Sequence, residues 1–256
     1  MPEDKGDFGP GYIGYQGLQP FWPFRANGDG IMDQHTGALL RSVIAQQNIK
    51  IHFQPIIHLQ TRQIYGYEGL TRGPVNTVLH SPTQLFEAAT RLGCLAELDL
   101  MCRRAVIKRF AQLGLPGRLF INVDPFSLVH EHFREGLTLE YVEQAGLNPS
   151  QLIIELTETH PVEDVRLMQQ AMLHYRQMGF RVALDDLGAG YSGLKLWSEI
   201  RPDIVKIDRH FIQGVDQDRT KHQFVTTILK TATALGCRVI TEGVETEREY
   251  ATLRKL

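Results

Sequence analysis

The chain has 256 residues, 43% of them apolar and 22% charged, with a net charge of −2. That length fits one large domain or two small ones, and the charge balance gives no basic field for duplex nucleic acid. No run reaches the ~18 consecutive apolar residues of a membrane helix. The acidic start, MPEDKGDFGP, lacks the apolar region of a secretory signal. Cys94, Cys102 and Cys237 form no C-x-x-C pair and read as reduced thiols of a cytoplasmic protein.

Residues 1–35 are rich in Gly, Pro and aromatics, show no period, and read as an arm or linker. Phe21, Trp22 and Phe24 are the aromatics there that could dock on the body or on a neighbour. NGDG lacks the ligand spacing of a calcium loop and reads as a turn. Residues 36–256 read as one domain, opening with Thr36 as N-cap of a helix over GALLRSVIAQQ. IKIHFQPIIHL and QIYGYEGL follow as two strands joined by a short polar turn. Helical patterns run through SPTQLFEAATRLG and LAELDLMCRRAVIKRFAQLG, with Arg103 and Arg104 expected on the exposed face of the second.

From there strand and helix alternate. RLFINV, QLIIEL, RVALDD, DIVKI and CRVIT are strands, each followed by a helical stretch. Met168, Met172 and Met178 recur at helical spacing and belong to the core. Alternation of this kind gives a parallel α/β fold. Seven strands at regular spacing favour a (β/α) barrel, with an open doubly wound sheet as the other compatible architecture.

The strands carry Glu68, Asn122, Glu155, Asp185 with Asp186, Lys206 with Asp208, and Glu242 at their C-terminal ends. Each acid alone is explained by turn chemistry near solvent. The N-terminal ends (KIH, RLF, QLI, RVA, CRV) show no such bias, so the set points to a site at the C-terminal mouth of a barrel. Oxygen ligands without Cys or His suit Mg²⁺ or Mn²⁺. More carboxylates than one ion needs suggests two ions with a bridging Asp, a device suited to phosphoester hydrolysis.

ALDDLGAGYSGL, residues 183–194, also contains G-x-G-x-x-G after an apolar run, the dinucleotide-binding string. A phosphate cradle offers amide N–H groups to an anion, and two carboxylates just before the first glycine oppose that. Strand alternation would instead splay Asp185 and Asp186 toward two ligands. HEH at 130–132 lacks the i, i+4 histidine pair of a zincin, and His52 reads as a packed or edge residue.

Taken in order, FQPIIHL (53–59), YGYEGLTRGP (65–74), FINVDP (120–125), IIELTE (153–158), ALDDLGAGYSGL, DIVKID and ITEGVET resemble the EAL-domain family of cyclic di-GMP phosphodiesterases. The resemblance implies a modified TIM (β/α)8-type barrel with an antiparallel first strand, here expected to be incomplete at seven strands because the chain ends before that family's last strand. It implies hydrolysis of cyclic di-GMP to linear pGpG with two ions, Mg²⁺ or Mn²⁺. Glu68, Asn122, Glu155 and Asp185 are implied to hold one, and Asp185, Asp186 and Glu242 the second. Lys206 and Glu242 would orient and activate water, Glu158 would steady the Asp186 loop, and Gln54, Arg72 and Asp208 would contact ligand or the water network. A homodimer and fused sensory or cyclase domains are further expectations. A cyclic di-GMP receptor without turnover, or a signalling scaffold, is the alternative. The signature tripeptide has Gly69 where the family usually has alanine, which is expected to cost about 0.5–1 kcal/mol of strand stability.

Overall fold

A computed structural model describes residues 12–15, 34–124, 136–157, 165–188 and 193–256. In chain order the elements are β1 (Tyr12–Tyr15), α1 (Gln34–Gln46), β2 (Lys50–His58), β3 (Ile64–Arg72), α2 (Pro82–Arg91), α3 (Leu95–Leu113), β4 (Arg118–Asn122) and α4 (Leu137–Gln144). Then follow β5 (Leu152–Thr157), α5 (Val165–Gln177), β6 (Arg181–Leu187), α6 (Gly193–Ile200), β7 (Ile204–Ile207), α7 (Arg209–Ile212), α8 (Arg219–Leu235), β8 (Arg238–Val244) and α9 (Glu247–Leu253).

The seven strands expected from the sequence are all present, and the first of them, β2, runs antiparallel to β3. From β3 to β8 every neighbour is parallel. The structure adds a short strand from the arm: β1 pairs antiparallel with β2 and parallel with β8, closing the order into a barrel. Two open edges expose unpaired N–H and C=O groups, and four residues of backbone cover that seam. Helix α1 begins at Gln34, so Thr36 lies inside it rather than capping it. Helices α3 and α8 end on Gly114 and Gly236 in the left-handed conformation, which a residue without Cβ adopts freely.

Two apolar layers position everything else. Outward-facing strand residues such as Leu119, Ile121, Ile154, Val182 and Val205 pack on the helices. Inside the barrel Ile56, Tyr65, Phe120, Ile153, Ala183, Ile204 and Ile240 form a separate cluster, one side chain from each strand β2 to β8. Such a layer makes a barrel interior a packed core, not a channel. Met168 and Met172 are buried and Met178 packs against the core, as their spacing predicts.

Gly69 has a reason beyond strand propensity. A Cβ built there would lie 2.3 Å from Val106 Cγ1 on α3, inside any tolerable contact. Helix α3 therefore sits directly on the β3 backbone, and the glycine is matched to Val106. Gly69→Ala is expected to destabilise the protein by about 1–3 kcal/mol through overpacking, with Val106→Ala relieving most of that when the two are combined. A double-mutant cycle from denaturant melts checks this; strictly additive effects would contradict the steric account.

Candidate metal centre

The site is the next layer up the barrel from the apolar plug. Side chains two residues apart on a strand share a face. Phe120 is therefore followed on its face by Asn122, Ile153 by Glu155, Ala183 by Asp185, Ile204 by Lys206 and Ile240 by Glu242. On antiparallel β2 the upward step runs backward, from Ile56 to Gln54, whose Cα partner on β3 is Glu68. On β3 the interval from Tyr65 to Glu68 is three, because the β2–β3 register shifts there and pairs Ile56 with Gly66 but Ile57 with Ile64. Glu68 is mid-strand, not at the strand end its sequence position suggests, since β3 continues to Arg72 opposite Lys50.

Lys206 is the centre of this layer. Its Nζ lies 2.8 Å from Glu155 Oε1, 2.8 Å from Glu242 Oε1, 3.0 Å from Asp185 Oδ1 and 3.3 Å from Glu68 Oε2. Burial opposes the charged form of Lys206, but Asp185, Glu155, Glu242 and Glu68 together raise its pKa well above the ordinary lysine value. The ammonium stays protonated and acts as a positioning cation.

One ammonium has three N–H donors, and five carboxylates converge here. Burial, reinforced by the Glu68 charge, holds Glu155 well above the usual carboxylate range although Lys206 pulls it down. Asp186 is likewise raised by burial and by the charges of Asp185 and Glu242. Burial pushes Glu242 up to about 8, against Lys206 and with Asp185 and Glu68. The layer is short of positive charge, and it relieves this by holding protons or by binding cations.

The donor set fits divalent cations. Carboxylate oxygens of Glu68, Glu155 and Asp185 lie within 4.8 Å of one another, as do those of Asp185, Asp186 and Glu242, so Asp185 belongs to both groups. Asn122 joins the first group by donating from Nδ2 to Glu68 Oε1 at 3.3 Å. Among the described residues, Glu155 Oε2, Asn122 Oδ1 and Asp186 Oδ1 are buried without a hydrogen-bond partner. Buried oxygens normally find partners, and all-oxygen groups of this kind suit Mg²⁺, Mn²⁺ or Ca²⁺.

Asp186 corrects one expectation. Alternation would turn it away from Asp185, yet both are buried at one site. Asp186 has φ of +56°, the left-handed region, and the β6–β7 pairing shifts register between Leu184 and Leu187. Its N–H donates to Asp185 Oδ1 at 2.9 Å. An aspartate tolerates this conformation better than most residues, and the local strain places two adjacent carboxylates on the same cluster. Gly188 follows at φ +100° with Phe211 against its Cα, so a side chain there would collide with that ring.

The remaining expected residues divide. Gln54 is half-buried at the level of Glu68. Arg72 is buried at the end of β3, donating from Nη1 to the Thr71 carbonyl at 2.9 Å. Asp208 caps α7, its Oδ1 accepting from the His210 N–H at 2.8 Å, and its charge acts on Asp186. Glu158 and HEH at 130–132 lie outside the described residues. His52 is exposed on β2. Arg103 was expected on an exposed helix face with Arg104; Arg104 is exposed, but Arg103 is buried beside Asp99. The D-x-x-x-R spacing of that pair was the available signal, since i and i+4 share a helix face.

The profile of the EAL domain family matches residues 37–256. A probable cyclic di-GMP phosphodiesterase of Escherichia coli K12, PdeB, is 29% identical over 224 residues, covering 84% of this chain and 42% of the relative. The crystal structure of a standalone EAL protein from Vibrio cholerae O395 in its c-di-GMP bound form superposes with a TM-score of 0.71 at 32% identity, over 81% of this chain and 86% of that one. The manganese/cy-diGMP complex of Klebsiella pneumoniae BlrP1 gives 0.74 at 31% identity, over 81% and 52%. The chain spans less than half the length of the first curated relatives it matches, 27%, 31% and 42% of them. No helix among the described residues is long and apolar enough to cross a membrane.

Proposed function

Because the chain belongs to the EAL domain family, we propose that it hydrolyses cyclic di-GMP to linear pGpG with two divalent cations, Mg²⁺ or Mn²⁺. The observation that carries this is Asp185, common to two carboxylate groups stacked on one buried lysine. The E. coli relative's name and the ligands of the two solved relatives support the same substrate.

Glu68, Asn122, Glu155 and Asp185 would hold one cation, and Asp185, Asp186 and Glu242 the other. Bound there, such ions supply Lewis-acid stabilisation of charge on the phosphodiester and ready access to hydroxide. The protein's own share is positioning and electrostatics. Lys206, fixed between Glu155 and Glu242 at 2.8 Å from each, positions those carboxylates and lends its positive charge to the site where water and the phosphoryl oxygens meet. Glu242, which would give up its own proton once cations occupy the layer, accepts the proton of that water and passes it to the leaving oxygen. Water attacks phosphorus in line, one P–O3′ bond breaks, and the released 3′ oxygen takes up a proton, which leaves a 5′-phosphate on the linear dinucleotide. Gln54 and Arg72 contact guanine or phosphate at the rim, Asp208 completes the water network, and Glu158 steadies the Asp186 loop. In this reading the chain works in the cytoplasm as a homodimer, with sensory or cyclase domains fused to it.

The test is incubation of the protein with cyclic di-GMP and Mn²⁺, with products separated by chromatography. Formation of pGpG, abolished by EDTA, is expected. Tight binding of cyclic di-GMP with no turnover in Mn²⁺ would overturn the enzymatic reading in favour of a receptor.

A further inference from the structure

The buried pair on α3 is not part of the metal centre, yet it is fastened to it. Asp99 and Arg103 are both buried, one helical turn apart, and ion-paired. The Asp99 carboxylate also accepts the main-chain N–H of Asp124, two residues beyond Asn122. Arg103 Nη1 donates to Thr138 Oγ1 at 3.0 Å and to the Tyr175 hydroxyl at 3.0 Å. Beside them, Cys102 is buried against the side chain of Thr71, three residues beyond Glu68. One face of α3 thus grips the mouth ends of β3 and β4, and Arg103 extends the grip to the first turn of α4 and to α5.

A buried ion pair is weak evidence of net stability, because desolvation offsets most of the attraction. What it supplies is direction: a planar guanidinium with fixed donors and a carboxylate whose second partner is a backbone amide. Asn122 needs such support. Its Nδ2 makes one long bond to Glu68, and its Oδ1 has no protein partner among the described residues. The orientation of that carboxamide follows from where the β4 backbone ends.

We infer that Asp99 and Arg103 are positioning residues for the Asn122 corner of the metal centre, setting cation affinity from outside the barrel. This rests on the metal-binding reading of Asn122. Groups supporting a metal ligand commonly govern affinity about 10–100-fold on removal.

The experiment is calorimetric titration of the full chain with MnCl₂, wild type first, then Asp99→Leu/Arg103→Met. The double substitution removes both charges together, so it leaves no unpaired buried ion and keeps the volume apolar. Its melting temperature is expected within a few degrees of wild type, while its Kd for Mn²⁺ rises about tenfold. Arg103→Lys retains the charge but loses the fork that reaches Thr138 and Tyr175, and is expected to fall between. Absence of Mn²⁺ binding by wild type sinks the proposed function itself. Wild-type binding together with an unchanged Kd in the folded double variant overturns the positioning role alone. Should the double variant not fold, an unchanged Kd in Arg103→Lys overturns it equally.

Discussion

Asp185→Asn is expected to lower Mn²⁺-dependent conversion of cyclic di-GMP to pGpG by at least about 10²-fold, the scale of losing one preorganised charge at a reacting centre. Asparagine keeps the side-chain volume and still accepts the Asp186 N–H that Asp185 Oδ1 takes at 2.9 Å, so the backbone has no cause to move. What is lost is, among the described residues, the only carboxylate common to both groups and one of the four that hold Lys206. Asp186→Asn touches one group alone and is expected to cost less. Product formation under single-turnover conditions, with Mn²⁺ raised to saturation, separates weakened metal binding from a slower step. Equal losses for the two variants, or turnover within threefold of wild type for Asp185→Asn, would remove the shared role.

Lys206→Met is expected to lower stability as well as rate, and the stability loss is expected to be largest when metal is absent. Removing one partner of a buried ionic cluster costs about 3–5 kcal/mol, which for a domain of this size lowers the melting temperature by on the order of 10 °C. The pH dependence follows from the carboxyls. Glu242 holds its proton up to about 8 in the fold, against an ordinary value of 4.5. Between those values the native state binds the extra proton, so this contribution is complete below 4.5 and is lost as pH rises through 8. Glu155 and Asp186 are raised in the same direction. Lys206, with its pKa raised above 10.5, contributes unchanged over that range. In EDTA the wild type therefore loses melting temperature from pH 5 to 9. Lys206→Met loses more, with the gap widest at pH 9, and Mn²⁺ restores much of it. Thermal melts across pH, with EDTA or Mn²⁺, check this; identical wild-type and variant curves in EDTA at pH 9 would show that the ammonium does not hold the layer together.

The candidate-site residues were legible wherever the deciding interaction was local. F-I-N, I-I-E, A-L-D, I-V-K and I-T-E each place an apolar plug residue and a polar site residue two apart, and strand alternation alone puts both inside the barrel. Glu68 breaks that interval because a register shift in the β2–β3 hairpin inserts a residue, and a shift of that kind depends on the partner strand. Asp186 breaks it because its left-handed φ is sustained by surrounding structure, which no local pattern reports. Arg103 carries one local signal, its i, i+4 spacing from Asp99, but the other groups that bury it, Thr138 and Tyr175, are 35 and 72 residues away. Strand β1 reads as linker in the sequence because its ladder partners, on β2 and β8, lie far along the chain. A lone four-residue run carries too little period to separate from a linker.

The plug formed by Ile56, Tyr65, Phe120, Ile153, Ala183, Ile204 and Ile240 turns the barrel into a cul-de-sac. Lys206 and its carboxylates stand one layer above that floor, which leaves them no approach through the barrel from below. A nucleotide seated over the carboxylates covers whatever lies beneath it. Under the proposed function, loading would therefore be ordered: ions would go in first, the nucleotide would close over them, and the cleaved product would have to back out before an ion could be exchanged.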